Sequence, residues 1–270
     1  MMRDQAGGDM DRTGLMVALA VAAAVGVPLA LFPQIDLALS APFYAVSDSQ
    51  HNMFAWRLSP FVQTLRDLGL WASAALLAPA IAAVLMKLIV PRRKMLVSGS
   101  AALFLIVTMA LGPGLLANVI LKDHWGRPRP IDVTQFGGDQ HFVAWWDPRG
   151  DCPANCSFVS GDVTGAFWAL APAALTPPPW RPLAYAAALA FGVGMSVLRI
   201  ITGAHFLTDT VFAGVFTFLI IWLAHGVIFR WPRTRLAADA VERALARIAL
   251  PTVLAGLFGG KRPRPGCDGP

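Results

Sequence analysis

Phosphoryl transfer needs a nucleophile, a group that sets its proton, and fixed positive charge around the phosphorus. Three short stretches of this 270-residue chain hold those residue types: 122–130 (KDHWGRPRP), 157–162 (SFVSGD) and 199–209 (RIITGAHFLTD). In the third, Asp209 follows His205 by four residues, and at that spacing the two share a helix face. The carboxylate can then accept one imidazole proton and leave the other nitrogen free to attack. Arg199 adds a planar fork suited to phosphate oxygens. The competing reading is a buried His–Asp pair that only ties two helices together.

The first stretch places Lys122, Arg127 and Arg129 just after an apolar run, in a loop stiffened by Pro128 and Pro130. Cations so held fit the non-bridging oxygens of a phosphoryl group. Snorkelling at a membrane interface explains one or two of them but not a rigid cluster. His124, beside Trp125, reads as packing. In the second stretch, Ser160 and Gly161 open an apolar segment. A helix N-terminus there offers N–H groups and a positive dipole end to an anion. Glycine lets the backbone approach and the serine hydroxyl adds a donor; an ordinary serine N-cap is the alternative.

These stretches lie at the ends of long apolar runs. The chain is 56% hydrophobic and 14% charged, with a mean hydropathy of +0.57, whereas soluble domains carry about 25% charged residues. That argues against a soluble enzyme. A membrane span takes about 20 apolar residues, and six candidates stand out: 13–32, 68–90, 95–121, 160–175, 183–201 and 211–229. The fourth is the shortest, and its upper end falls inside the proposed site. The expected fold is all-α: an integral membrane protein with six transmembrane helices, one membrane domain over 1–270 ending in a basic tail from 230. No repeat and no soluble domain is evident. The first span reads as a retained helix, because its polar start is a poor signal region and 33–36 (PQID) offers no small-residue cleavage site.

Lysine and arginine placement orients the spans. One side collects 15 of the 22 cations and the other seven. Both termini are therefore expected in the cytoplasm. The three motif segments then face outward, which in a Gram-negative cell is the periplasm. The net charge of +6 sits mostly in the tail, whose expected partner is anionic lipid headgroups rather than nucleic acid. Cys152 and Cys156 fall in an outward loop; a disulfide bracing that loop and two free thiols are both open readings. Cys267 reads as a free thiol. The loop 33–66 is expected to contain an interfacial helix, and 234–250 an amphipathic one on the inner leaflet. Proline-rich 176–182 and the basic 91–94 read as tight turns, and 261–270 as disordered. His51, His141, His225 and the Trp145–Trp146 pair read as structural or interfacial.

Taken together, the three stretches resemble the signature of the type 2 phosphatidic acid phosphatase superfamily: K-x6-RP, then PSGH, then SR-x5-H-x3-D. Lys122, Arg129 and Pro130 fill the first element; Arg199, His205 and Asp209 fill the third, with Leu198 in place of its serine. The second departs twice, with Val159 for proline and Asp162 for histidine. The resemblance covers about 68–229, and CSFVSG followed by an acid is similar to bacterial lipid A 1-phosphatase relatives.

The resemblance implies a metal-independent phosphatase without cofactor. His205 would form a phosphohistidine, with Asp209 orienting it. Lys122, Arg129, Ser160, Gly161 and Arg199 would hold the phosphate. Asp162 would stand where the family's proton donor stands. It is then a working acid, a sign of a substrate whose leaving group needs less protonation, or the mark of a site that only binds lipid phosphate. A carboxyl group donates only if its pKa is raised, and the cations nearby oppose that. Lipid A 1-phosphate, undecaprenyl pyrophosphate and phosphatidylglycerophosphate are the candidate substrates. A lipid phosphotransferase and a non-catalytic binding protein remain alternatives. A transporter fits less well, because its cations would lie near the bilayer midplane within repeats. Oligomeric state is left open.

Overall fold

The computed structural model describes residues 12–45 and 53–250. The expectations for His51, Cys267 and 261–270 lie outside the described residues. Among the described residues, five helices are long and apolar enough to cross a membrane: α1 (Arg12–Leu31), α3 (Pro60–Ile89), a continuous rod over Gly99–His124, α8 (Arg181–Ile201), and a rod over Leu207–Arg230. The second rod begins as α9 (Leu207–His225), and the first comprises α4 (Gly99–Met109), a wider π-helical run (Ala110–Leu121) and the turn α5 (Lys122–His124). The run contains Pro113, which has no N–H to donate and so loosens the local ladder. Asn118 Nδ2 donates to the Pro113 carbonyl at 2.7 Å, which satisfies one of the acceptors there.

The fourth expected span, 160–175, takes a different form. It is two short helices, α6 (Gly161–Phe167) and α7 (Leu170–Ala174). Pro172 cannot donate to Trp168, whose carbonyl accepts from Ala171 instead, so the ladder tightens and breaks there. At about 1.5 Å per residue, neither piece approaches the thickness of a bilayer core. The segment does not need that length, because α6 is central and packs on α3, α8, α9 and the π-helical run. Small residues permit the approach: a Cβ at Gly192 or Gly214 would strike the ring of Phe167. Trp168, Phe104 and Ile221 are fully buried beneath, and Trp168 Nε1 donates to Thr108 Oγ1 at 2.9 Å. Trp71, Met16 and Leu183 point outward, the apolar exterior that lipid requires.

Two other segments pack against the bundle. In the loop after α1 comes the short helix α2 (Gln34–Ser40). Its Asp36 is buried, and it docks against α9. A 3-10 turn (Ala41–Phe43) and a two-residue ladder, β1 (Tyr44–Ala45) with β2 (Met53–Phe54), follow it. Tyr44, Phe54 and Phe136 then pack as an aromatic roof over the site. At the opposite end, α10 (Ala238–Ile248) is amphipathic as expected, but it packs across α3 and α4. A Cβ at Gly99 would collide with the Ala238 carbonyl, and Lys87 Nζ lies 3.7 Å from Glu242.

Candidate active site

His205 sits in the short link between α8 and α9. Gly203 makes that link possible: its φ of 65° suits a residue without Cβ, and a Cβ would run into the Phe54 ring. The imidazole is 1% exposed. Its Nδ1 lies 2.7 Å from the Ser157 carbonyl oxygen. A carbonyl can only accept, so Nδ1 carries the proton and Nε2 keeps its lone pair. Burial, reinforced by the charges of Arg199, Arg129 and Lys122, holds His205 well below the usual histidine value. The ring is thus neutral with its Nε2 lone pair free, and all three motif cations act on it.

Asp209 does not accept the His205 proton, as the four-residue spacing led one to expect. Its Oδ2 is 3.9 Å from Nδ1, beyond hydrogen-bond reach. The carboxylate instead accepts from the Phe206 N–H at 2.8 Å, which caps α9, and from Ser157 Oγ and Arg127 Nη1. It therefore bears on His205 through Ser157, whose hydroxyl it holds and whose carbonyl holds the ring.

Arg127 anchors this network. It is fully buried. Nη1 also donates to Thr208 Oγ1 at 2.8 Å, Nη2 to Asp36 Oδ2 at 2.9 Å, and Nε to the Val143 carbonyl at 3.2 Å. The guanidinium lies 4.5 Å from the Phe206 ring centroid. Asp36 in turn accepts from the Thr208 N–H at 3.2 Å and from its hydroxyl. Of the cations in 122–130, Arg127 is therefore spent on protein carboxylates. Asp36 was invisible to sequence reasoning as a site residue: it lies 172 positions from its partner Thr208 and belongs to no motif.

The remaining predicted residues gather above His205. Lys122 closes the π-helical run, and a Cβ at Gly161 would collide with Asn118 Oδ1 and come 3.0 Å from Lys122 Nζ. Gly161 is needed so that Lys122 can lie against the start of α6. Ser160 is buried, does not cap α6, and its Oγ has no hydrogen-bond partner. Arg129 donates from Nε and Nη2 to the Asn155 carbonyl at 3.1 and 2.7 Å, and from Nη2 to Asn155 Oδ1 at 2.8 Å. Asn155 lies within the ring closed by the Cys152–Cys156 disulfide, whose Cα atoms are 5.7 Å apart.

Asp162, expected as a proton donor, is placed as a counter-ion. Its Oδ2 accepts from Arg66 Nε at 2.7 Å and lies 3.4 Å from Arg199 Nε. Burial pushes the carboxyl up, but the Arg66 hydrogen bond and the charges of Arg199, Arg66 and Lys122 together bring it below the usual carboxylate range. An ionised carboxylate has no proton to give, so this arrangement does not favour the reading of Asp162 as an acid. Arg66 was missed as a site residue. The apolar window begins at Leu68, whereas the helix starts at Pro60, so α3 carries Arg66 up to the site.

The buried neutral histidine thus lies under converging cations, on a bundle whose long helices are apolar enough to cross a membrane. Residues 101–233 match the PAP2 superfamily. The chain is 40% identical over 131 residues to a lipid A 4'-phosphatase of Francisella tularensis subsp. novicida, covering 48% of this chain and 59% of that one. It is 39% identical over 122 residues to a lipid A 4'-phosphatase of Rhizobium leguminosarum, covering 45% and 49%. The chain thus spans about half the length of the curated relatives it matches. The resemblance to lipid A phosphatases holds, with the 4' position in these names where the sequence pointed to 1-phosphatase relatives. No solved structure matches the chain.

Proposed function

We propose that this protein is a metal-independent lipid phosphatase acting at the periplasmic face of the inner membrane, through a phosphohistidine. The observation that carries this reading is His205, with Nδ1 committed to the Ser157 carbonyl, Nε2 free, and Arg199, Arg129 and Lys122 acting on it together. In the first step Nε2 attacks phosphorus, a P–N bond forms and the P–O bond to the lipid breaks. The departing oxygen takes a proton from solvent. Water then attacks phosphorus, the P–N bond breaks, and inorganic phosphate leaves. Lys122, Arg129 and Arg199 neutralise charge on the non-bridging oxygens, and Ser160 Oγ, buried and unpartnered, supplies a donor at the start of α6. Fixed cations thereby do what a metal ion does elsewhere.

The substrate is a lipid phosphate reaching the site from the outer leaflet of the inner membrane, with both termini in the cytoplasm as the cation bias directs. The names of the relatives favour a phosphate on lipid A, at the 4' or the 1 position. Phosphate release in EDTA from lipid A, undecaprenyl pyrophosphate and phosphatidylglycerophosphate tests the reading. Release from one lipid that disappears in His205→Ala is the expected outcome. No release from any lipid by a folded protein would sink it and leave a binding protein.

A further inference from the structure

Arg66 is a fourth cation at the site that belongs to none of the three motifs and lies outside the PAP2 match at 101–233. It stands on α3, 96 positions from its partner. Its Nε donates to Asp162 Oδ2 at 2.7 Å, and that same oxygen faces Arg199 Nε at 3.4 Å. Arg199 Nε is buried and has no hydrogen bond of its own. One carboxylate oxygen therefore stands between two guanidiniums, one from outside that match and one from the third motif.

We propose that Arg66 is a positioning residue: it fixes Asp162, and Asp162 in turn aims Arg199 at the phosphate beside His205. The family histidine at position 162 and the arginine at position 66 would make little sense together, because two cations would meet where the pair now meets. Asp162 with Arg66 makes a neutral unit that leaves Arg199 as the net charge. A guanidinium is planar in itself; an ion pair at Nε turns that plane one way and leaves the two Nη groups to meet two phosphate oxygens at once. An Arg199 without that grip would sample other rotamers and have to be ordered by the substrate. Asp162 then serves through Arg199 and not as a proton source.

This inference rests on the phosphatase reading and is tested by a double-mutant cycle on Arg66→Ala and Asp162→Asn, with Arg66→Lys as the conservative variant. Each is checked for native elution in detergent. Each single change is expected to lower kcat/KM by about 10- to 100-fold, with the double variant within about threefold of the worse single, as for residues that act as one unit. Arg66→Lys should recover part of the loss. The inhibition constant for inorganic phosphate should rise in parallel, which mere loosening of α3 would not produce. Independent, multiplicative losses would overturn the proposal. So would a dead Asp162→Asn beside a fully active Arg66→Ala, which would return Asp162 to proton donation. If the unaltered protein releases no phosphate, the phosphatase reading falls by itself. Titration with inorganic phosphate then carries the same cycle: non-additive losses of affinity support the pair, and additive ones sink it.

Discussion

Arg127 and Arg199 flank the same histidine and are used in opposite ways. All three nitrogen groups of Arg127 donate inside the protein, to Asp36, Asp209, Thr208 and the Val143 carbonyl, and none of its surface reaches solvent. Arg199 has Asp162 at 3.4 Å, a side chain 12% exposed, and a buried Nε without a hydrogen bond. The donors of a guanidinium thus tell its job. Where the protein consumes them, the arginine is part of the frame. Where one is left without a hydrogen bond beside the buried histidine, the arginine is open to a ligand.

The largest effect that could break this comparison is on folding. Arg127→Ala strands two buried carboxylates, a change that typically costs about 3–5 kcal/mol. Thermal unfolding in detergent should show a large loss, whereas Arg199→Ala should unfold near the parent and lose turnover. Equal destabilisation by both would erase the distinction. Gly161→Ala comes next. The added methyl meets Asn118 and Lys122 Nζ, so kcat/KM should fall by about 10- to 100-fold with little change in unfolding temperature.

A pH titration sharpens the same contrast. His205 is held well below the ordinary histidine value. The unfolded chain takes up this proton as pH falls through about 6.5, while the folded state does not. The stability from keeping His205 neutral is therefore full above that pH and drains below it, down towards the folded value. Unfolding followed from pH 7.5 to 5 should show this slope, and His205→Gln should flatten it. Phosphate release should correspondingly persist at pH 6, where a free imidazole would be mostly protonated. The smallest effect belongs to Arg149→Ala. Its side chain is 80% exposed and pairs with Asp147 two residues away, and neither turnover nor unfolding temperature should change measurably.

The apolar runs and the three motifs were legible because each is written in consecutive residues. Five of the six expected spans correspond to long helices. The other, 160–175, has the composition of a span but is broken at Trp168–Ala169 and enclosed by its neighbours, and hydropathy does not tell lipid from protein. His205 was readable from its spacing to Asp209, yet the spacing suggested the wrong contact. A side chain four residues on can cap its own helix as readily as it can hold the ring, and Asp209 caps. Asp36 and Arg66 could not be read at all, since each gains its meaning from a partner far along the chain.

The five-residue ring of Cys152 to Cys156 carries Asn155, and Asn155 holds Arg129 by three hydrogen bonds. Arg129, one of the motif cations, is thus moored to a covalent bond that forms under oxidising conditions. In a reducing environment the ring opens, Asn155 is released from the left-handed conformation it adopts there (φ of 53°), and the mooring slackens. Full assembly of the site is then tied to the compartment in which the loop finds itself.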